Sequence, residues 1–448
     1  MNLFWVHFEL NIPDMWLRYI KQGLSDMNFK DKVGQLGRAM FEKNLSIKEE
    51  LAEQTAIRLK DDVLENGVTR LVHNHAVNKT TLGVDILGLS KNTYNKRIAQ
   101  FIEEGVISEP YLYNRSLMFP LHEVHKLMEH LEFPKFSDNH ESKVVCVGNY
   151  KGGTGKSTTA TALAVKTALD RGLNARVLIL DLDPQGSMRG IVNVDSSSEE
   201  VYITLCDLVC ALFEGDYERE FENEALELLQ EGHSFEDVVL ASPFLTHLPN
   251  LDVMTAFPTD EQFTKLYWTL DEEKRVELLT TFARKIVPIL KSQYDIIYLD
   301  LPPQNSPITW SAIEATDMML TPISPKIYDY VSTMSYLLTL EEQLEDLPSK
   351  GDNIEWFKIL PVNYNESNRQ ERKIFDRLLQ TVGSDMITKP IKHSPFFQEA
   401  AEKNRSIFDI IKTESMCTDI QYHDAVTSVT EVYNTVVSDI KVLSSKSN

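Results

Sequence analysis

The 448-residue sequence has four cysteines, Cys146, Cys206, Cys210 and Cys417, and none stands at a spacing that would hold zinc or an iron–sulfur cluster. A disulfide scaffold and a thiolate-held cofactor are thereby excluded, and a reduced cytoplasm fits. Long apolar runs are also missing, so no segment is expected to span a membrane. The apolar patch at Leu3 to Phe8 is short, is followed by Glu9 and Asp14, and has neither a basic leader nor a small-residue cleavage site, which argues against a secretory signal. Basic residues are scarce, 45 Lys and Arg against 67 Asp and Glu, for a net charge of −22. Such a balance argues against a protein that coats DNA through bulk positive charge. With 42% hydrophobic and 25% charged residues the composition is that of a folded chain, long enough for two or three domains.

What is present is concentrated in Gly148-Asn149-Tyr150-Lys151-Gly152-Gly153-Thr154-Gly155-Lys156-Ser157-Thr158. The run Val144 to Val147 before it reads as a buried strand. Glycines let backbone N–H groups close around phosphate oxygens, and a helix starting near Lys156 points its positive end at the same anion. Lys156 is expected on the β- and γ-phosphates and Ser157 on Mg²⁺. Tyr150 occupies the first glycine position of the general phosphate-loop pattern, and a second lysine, Lys151, stands at the front. Two further strands end in acids. Val177 to Leu180 leads into Asp181 and Asp183, which share a side if the strand continues. One can orient Mg²⁺ through water and the other a hydrolytic water. Ile296 to Leu299 leads into Asp300, expected to bind a water on Mg²⁺. Leu251 to Thr255, Met318 to Thr321 and Phe357 to Pro361 continue the alternation of strands with helical segments, which predicts an α/β fold with a doubly wound, mostly parallel sheet over residues 143–448.

Ahead of that domain, residues 1–70 show helical spacing, for example Leu36, Met40 and Phe41, and no chemistry. Residues 71–135 hold a different signal. A short helix is expected to end at Gly88, Ser90 to cap a second helix, and Tyr94, Ile98, Phe101 and Ile102 to form its apolar face. That leaves Lys91, Asn92, Asn95, Lys96 and Arg97 outward, residue types that read a DNA groove from a helix N-terminus. Val106 to Phe119 is expected to form a two-stranded wing. Phe133 to Ser142 reads as a linker, and the acidic stretch 195–240, with Arg219 as its single basic residue, as a helical insertion on the surface. Near the C-terminus Val426, Val429, Tyr433, Val436 and Ile440 keep helical spacing, but Asp424, Glu431 and Asp439 on the polar face argue against membrane binding.

The form K-G-G-x-G-K-[ST], followed by D-x-D-P-Q-G at Asp181 to Gly186 and by Asp300 with Pro302-Pro303, resembles the ParA and MinD group of P-loop ATPases with a deviant Walker A motif. Later stretches share the resemblance: Thr321-Pro322, Pro361-Val362-Asn363, Gln398-Glu399-Ala400 and Ser406 to Asp409. Together with the N-terminal helix-turn-helix, the layout is similar to the large ParA subgroup used in plasmid or chromosome partition. The resemblance implies ATP with Mg²⁺, bound by Lys151 through Thr158 and with Asn363 near the adenine. It implies a dimer in which Lys151 reaches the partner's nucleotide, Asp183 on the attacking water and Asp181 in the outer shell of the metal. It further implies weak hydrolysis stimulated by a ParB-like partner, non-specific DNA binding by the ATP form with possible higher-order assembly on DNA, autorepression through an operator, and a nucleoid-associated place in the cytoplasm. Related proteins carry DNA-binding arginines where this chain has Lys389, Lys392, His393, Lys403 and Arg405. Gln304-Asn305-Ser306 departs from the family pattern after the double proline, and Thr154 stands where Val is commonest. Three rivals follow from the same residues. The first is a MinD-like membrane ATPase, which would need a basic amphipathic C-terminal helix where this chain has Asp424, Glu431 and Asp439; the second is a metabolic or electron-transfer relative, for which no suitable cysteine pair exists; the third is an ATP-sensing repressor without a segregation role.

Overall fold

A computed structural model describes residues 30–40, 42–43, 74–113, 115–186, 188, 202–213, 215 and 223–446. The chain divides into a unit over residues 1–60 and a second over 61–448. In the first, residues 30–40 and 42–43 are helical; the remainder of the expected helices over 1–70 lies outside the described residues.

The second unit opens with strand β1 (Val77–Asn78), a short helix (Thr81–Ile86) and helix α1 (Lys91–Glu103). Gly88 takes a φ of +63° in the turn between the helices, a conformation that costs glycine nothing. Ser90 is the backbone N-cap of α1, but its hydroxyl meets the Thr93 hydroxyl at 2.9 Å instead of capping an N–H, which corrects the expected side-chain cap. Tyr94, Ile98 and Phe101 are buried and Ile102 is partly so. Strands β2 (Tyr111–Tyr113) and β3 (Ser116–Phe119) pair antiparallel, and β1 joins them as a third strand, in the order β1-β3-β2. Helix α2 (Leu121–His130) closes this small core through Val124, Leu127 and Met128.

Beyond it lies a seven-stranded sheet ordered β10-β9-β4-β8-β5-β7-β6. Its strands are β4 (Lys143–Val147), β5 (Val177–Asp181), β6 (Phe244–Leu245), β7 (Leu251–Met254), β8 (Ile296–Asp300), β9 (Met318–Ile323) and β10 (Trp356–Pro361). All six expected strands are present, and every pairing is parallel except the short antiparallel edge strand β6. The reason lies in the residues: β4, β5 and β8 are buried at every position, as an apolar run covered by helices on both faces must be. Helices α3 (Lys156–Leu169) and α6 (Asp419–Ser444) cover one face, where Val145, Val147, Ile179 and Tyr298 meet Leu163, Val429, Tyr433 and Val436. The C-terminal helix therefore spends its apolar stripe on the core. Among the described residues no helix is long and apolar enough to cross a membrane.

Two expectations fail here. Helices Leu205–Ala211, Glu224–Gln230 and Phe235–Ala241 come from the acidic stretch, yet Leu208, Val209, Leu226 and Val239 are buried with Cys146, Leu178 and Leu180 against the second face of the sheet. The acidic residues describe the outer side of amphipathic helices whose inner side the sheet needs as cover. The expected linker is also pinned: Phe136 is 2% exposed in the core and stacks on His140, and the Glu141 N–H donates to Ser444 O at 2.7 Å.

Candidate nucleotide site

Parallel pairing brings the C-terminal ends of β4, β5 and β8 together, with Val147 opposite Asp300 and Asp300 opposite Asp181. The phosphate loop leaves β4 through Gly148, where a Cβ would lie 2.8 Å from Leu301 Cδ1, so a larger residue there would have to displace the Leu301 side chain. Gly155 takes a φ of +76° as N-cap of α3 and offers no side-chain cap. The first-turn N–H groups of α3 are thus left for an anion, where the helix dipole favours one. Gly152, Gly153 and Thr158 are exposed, Ser157 is half-buried, and Thr154 is buried with its hydroxyl donating to Lys151 O at 3.3 Å. The Lys156 ammonium, 7% exposed, donates to Lys151 O at 3.1 Å. Burial lowers its pKa, against the opposing pull of Asp300 and Asp183. The loop thus presents an open N–H face with a buried cation behind it, which fits the phosphates of a nucleotide.

The three acids differ in setting. Asp300 is fully buried, and neither carboxylate oxygen has a hydrogen-bond partner. Burial first, then the charge of Asp181, pushes its pKa well above the usual carboxylate range; the Ser157 hydroxyl, close by but outside hydrogen-bonding geometry, and Lys156 oppose this only in part. An orphaned buried carboxylate is costly, and a hard divalent cation with its waters would complete it. Asp300 and Ser157 therefore fit Mg²⁺. Asp181, 3% exposed, accepts the Asp183 N–H on Oδ1 at 3.0 Å and the Met188 N–H on Oδ2 at 3.1 Å, so its visible work is to hold the following loop. The strand ends at Asp181, so the condition for a shared side is not met: Asp183 begins a turn, closed by Gly186 N–H to Asp183 O at 2.7 Å, and its carboxylate accepts the Gln185 N–H. Asp183 is half-buried, and its charge acts on both Lys156 and Asp300.

Residues that sequence reading missed come from one helix, α4 (Ile327–Asp346). Buried Asp329 holds the Lys151 ammonium in an ion pair within the same chain. Asn149, with no exposed surface, donates to Pro322 O at 3.0 Å and Thr333 Oγ1 at 3.1 Å while accepting the Lys151 N–H. Tyr150 packs edge-on against Tyr336 and its hydroxyl donates to Gln343. Tyr150 thus replaces a glycine because it anchors the loop front to α4. The outer face of that helix exposes Ile327, Val331, Met334 and Leu338 at three- and four-residue spacing. Asn363, exposed with φ +53°, follows Val362, whose methyl lies 3.6 Å from where a Gly155 Cβ would stand, and its amide oxygen meets His393 Nδ1 at 2.6 Å.

Away from this site, Lys91, Asn92, Asn95, Lys96 and Arg97 are all exposed on α1, with Arg97 lying 4.8 Å over the Phe101 ring. The second group of basic residues is less free. Lys389 pairs with Glu431 at 3.4 Å, Lys392 with Asp424 at 2.9 Å and, on helix α5 (Pro395–Glu402), Glu399 pairs with Lys403 at 2.7 Å. These carboxylates, two of them on α6, offset the positive surface expected there.

A family model described as an AAA domain matches residues 142–349. The chain is 23% identical to plasmid partition protein A of Escherichia coli over 90% of this chain and 94% of that protein. It is 25% identical to chromosome partitioning protein ParA of Myxococcus xanthus over 45% of this chain and 59% of the relative. A solved structure described as "Partition Protein" superposes with a TM-score of 0.56 at 19% identity, covering 91% of this chain and 99% of that one, which is a likeness of fold.

Proposed function

We propose, from its likeness to partition proteins and from the geometry of its phosphate loop, that the chain is a ParA-type, Mg²⁺-dependent ATPase that dimerises on ATP, binds DNA and moves or positions a DNA cargo in the cytoplasm, on the nucleoid. The observation that carries the reading is Asp300, a buried carboxylate without partners beside an open phosphate loop. The loop N–H groups and Lys156 hold the phosphates, and Ser157 and Asp300 hold Mg²⁺, which when bound offsets phosphate charge. Asp183 orients the attacking water, and Asp181 fixes the turn that carries Asp183. Asn363 lies by the base.

Assembly rests on α4. The stripe Ile327, Val331, Met334 and Leu338, each between 47% and 57% exposed, adjoins the Lys151–Asp329 pair. A second copy covering the stripe would desolvate that pair's surroundings and offer Lys151 a more negative target, the partner's nucleotide. In the free subunit Asp329 keeps the lysine at hand. Hydrolysis would return it to Asp329 and loosen the dimer, and a ParB-like partner would speed that step. Helix α1 reads an operator through Lys91, Asn92, Asn95, Lys96 and Arg97, while Lys389 and Lys392 serve non-specific DNA only after exchanging their carboxylate partners for phosphates.

Sedimentation with a non-hydrolysable ATP analogue tests the assembly: wild type gains a dimer, whereas Lys151→Ala binds nucleotide without it. Equal ATP-linked association in the variant overturns the role of Lys151. Arg97→Ala is expected to weaken the footprint on the chain's own promoter by about 1–3 kcal/mol; an unchanged footprint removes α1 from operator reading.

A further inference from the structure

We propose that His75, His247 and Asp409 form a binding site for one borderline divalent metal ion, Zn²⁺ in the first place, distinct from the nucleotide site and independent of the function assigned above. The three residues come from distant parts of the sequence. His75 precedes β1, His247 sits between β6 and β7, and Asp409 follows α5. Their ligand atoms all lie within 4.8 Å of one another. His75 Nε2 is 2.9 Å and His247 Nε2 2.7 Å from the same oxygen, Asp409 Oδ1, and the two rings stack with centroids 5.8 Å apart. Both imidazole side chains are 7% exposed and the carboxylate is 1% exposed. The other oxygen, Oδ2, accepts the Ser406 N–H at 2.9 Å, which fixes the carboxylate plane and leaves Oδ1 for the histidines.

Two imidazoles and a carboxylate are a donor set that zinc accepts, with a fourth position for water or another carboxylate. Glu414 is tied to the site through Asn74, which stands beside His75 and donates one N–H to Asp409 O at 2.6 Å and another to Glu414 Oε2 at 2.8 Å. Tetrahedral bonds of about 2.0–2.1 Å place neighbouring ligand atoms about 3.3 Å apart. Ion entry therefore opens each N···O contact by roughly half an ångström, a shift that side-chain rotation supplies. The balance of protons is simple. A neutral imidazole that donates from Nε2 to Asp409 moves that proton to Nδ1 on binding the ion, so both rings stay neutral ligands. An ion here would fasten the segment leading into the α1 module to the edge of the sheet and to the loop after α5, three stretches that share no backbone hydrogen-bond ladder.

The test uses the full-length protein, stripped with a chelator and dialysed against Zn²⁺ in the presence of excess Mg²⁺ and ATP, which occupy the nucleotide site. Wild type is expected to retain one zinc per chain, to gain thermal stability with added Zn²⁺, and to give visible absorption bands with Co²⁺. His247→Gln keeps an N–H donor toward Asp409 but has no imidazole ligand. It is expected to fold, to bind zinc at least about tenfold more weakly and to lose both the stabilisation and the cobalt spectrum; His75→Gln provides the same reading if that variant is insoluble. A wild type that retains no zinc, or glutamine variants that bind it as wild type does, would overturn the site.

Discussion

Replacing Asp300 by Asn removes a charge that the metal-free fold does not solvate. The side chain has no exposed surface and neither oxygen has a hydrogen-bond partner. Leaving a buried polar group unsatisfied costs about 1–3 kcal/mol, more for a charged one, and the isosteric amide keeps the shape while removing the ionisation. Without nucleotide or Mg²⁺ at pH 8, Asp300→Asn is therefore expected to be more stable than wild type by about 1–3 kcal/mol, or about 2–6 °C in melting temperature for a domain of this size. The pH dependence has a definite sign. The folded-state pKa of Asp300 is raised by burial, so the wild type is relatively most stable below the unfolded carboxyl value and loses stability as pH rises through the folded one. The gap in favour of the variant must therefore shrink on acidification. Saturating Mg²⁺ and ATP should reverse the order, since ligand at a hundred times its Kd stabilises the wild type by about 2.7 kcal/mol, and the variant lacks the carboxylate that fits the ion. Differential scanning fluorimetry across pH, with and without Mg²⁺ and ATP, measures all of this. A variant that melts below wild type without ligand and responds equally to Mg²⁺ and ATP would refute the argument.

Asp329→Asn frees Lys151 from its ion pair, and the variant is expected to associate at lower concentrations of ATP analogue than wild type in sedimentation; unchanged association would show that the pair does not restrain the lysine. Glu399 links α5 to the segment at Ser415 and Met416. Burial alone would raise its pKa, but hydrogen bonds from Lys403, Ser415 and the Met416 N–H hold it down at about 2. The stability it supplies is present above the ordinary glutamate pKa and is lost as pH falls toward 2. Denaturant titrations should accordingly find Glu399→Gln destabilised by about 1–3 kcal/mol at pH 7 and the gap narrowing between about pH 5 and pH 2, whereas a pH-independent gap would contradict the charge argument.

Residues 148–158 could be read because a phosphate loop is local: its glycines, lysines and following helix lie within one turn of chain. The strand-end acids were legible for the same reason. What Asp181 does was not, because its partners are backbone N–H groups of a loop whose path no periodicity reveals. Asp329 is invisible from sequence, being one acid among several on a long helix and brought to Lys151 only by the pairing of β9 with β4. Lys389 and Lys392 looked like a free basic patch because their partners, Glu431 and Asp424, belong to α6. The acidic stretch 195–240 misled in the opposite way, its charge count masking Leu208 and Val209, which have no exposed surface.

The most direct test of the account is ATP turnover by Asp183→Ala beside its nucleotide affinity. Water orientation acts in the transition state more than in the ground state, so the variant should bind ATP as wild type does and lose turnover by about a hundredfold or more. Wild-type turnover in that variant would contradict the claim that this site hydrolyses ATP through Asp183.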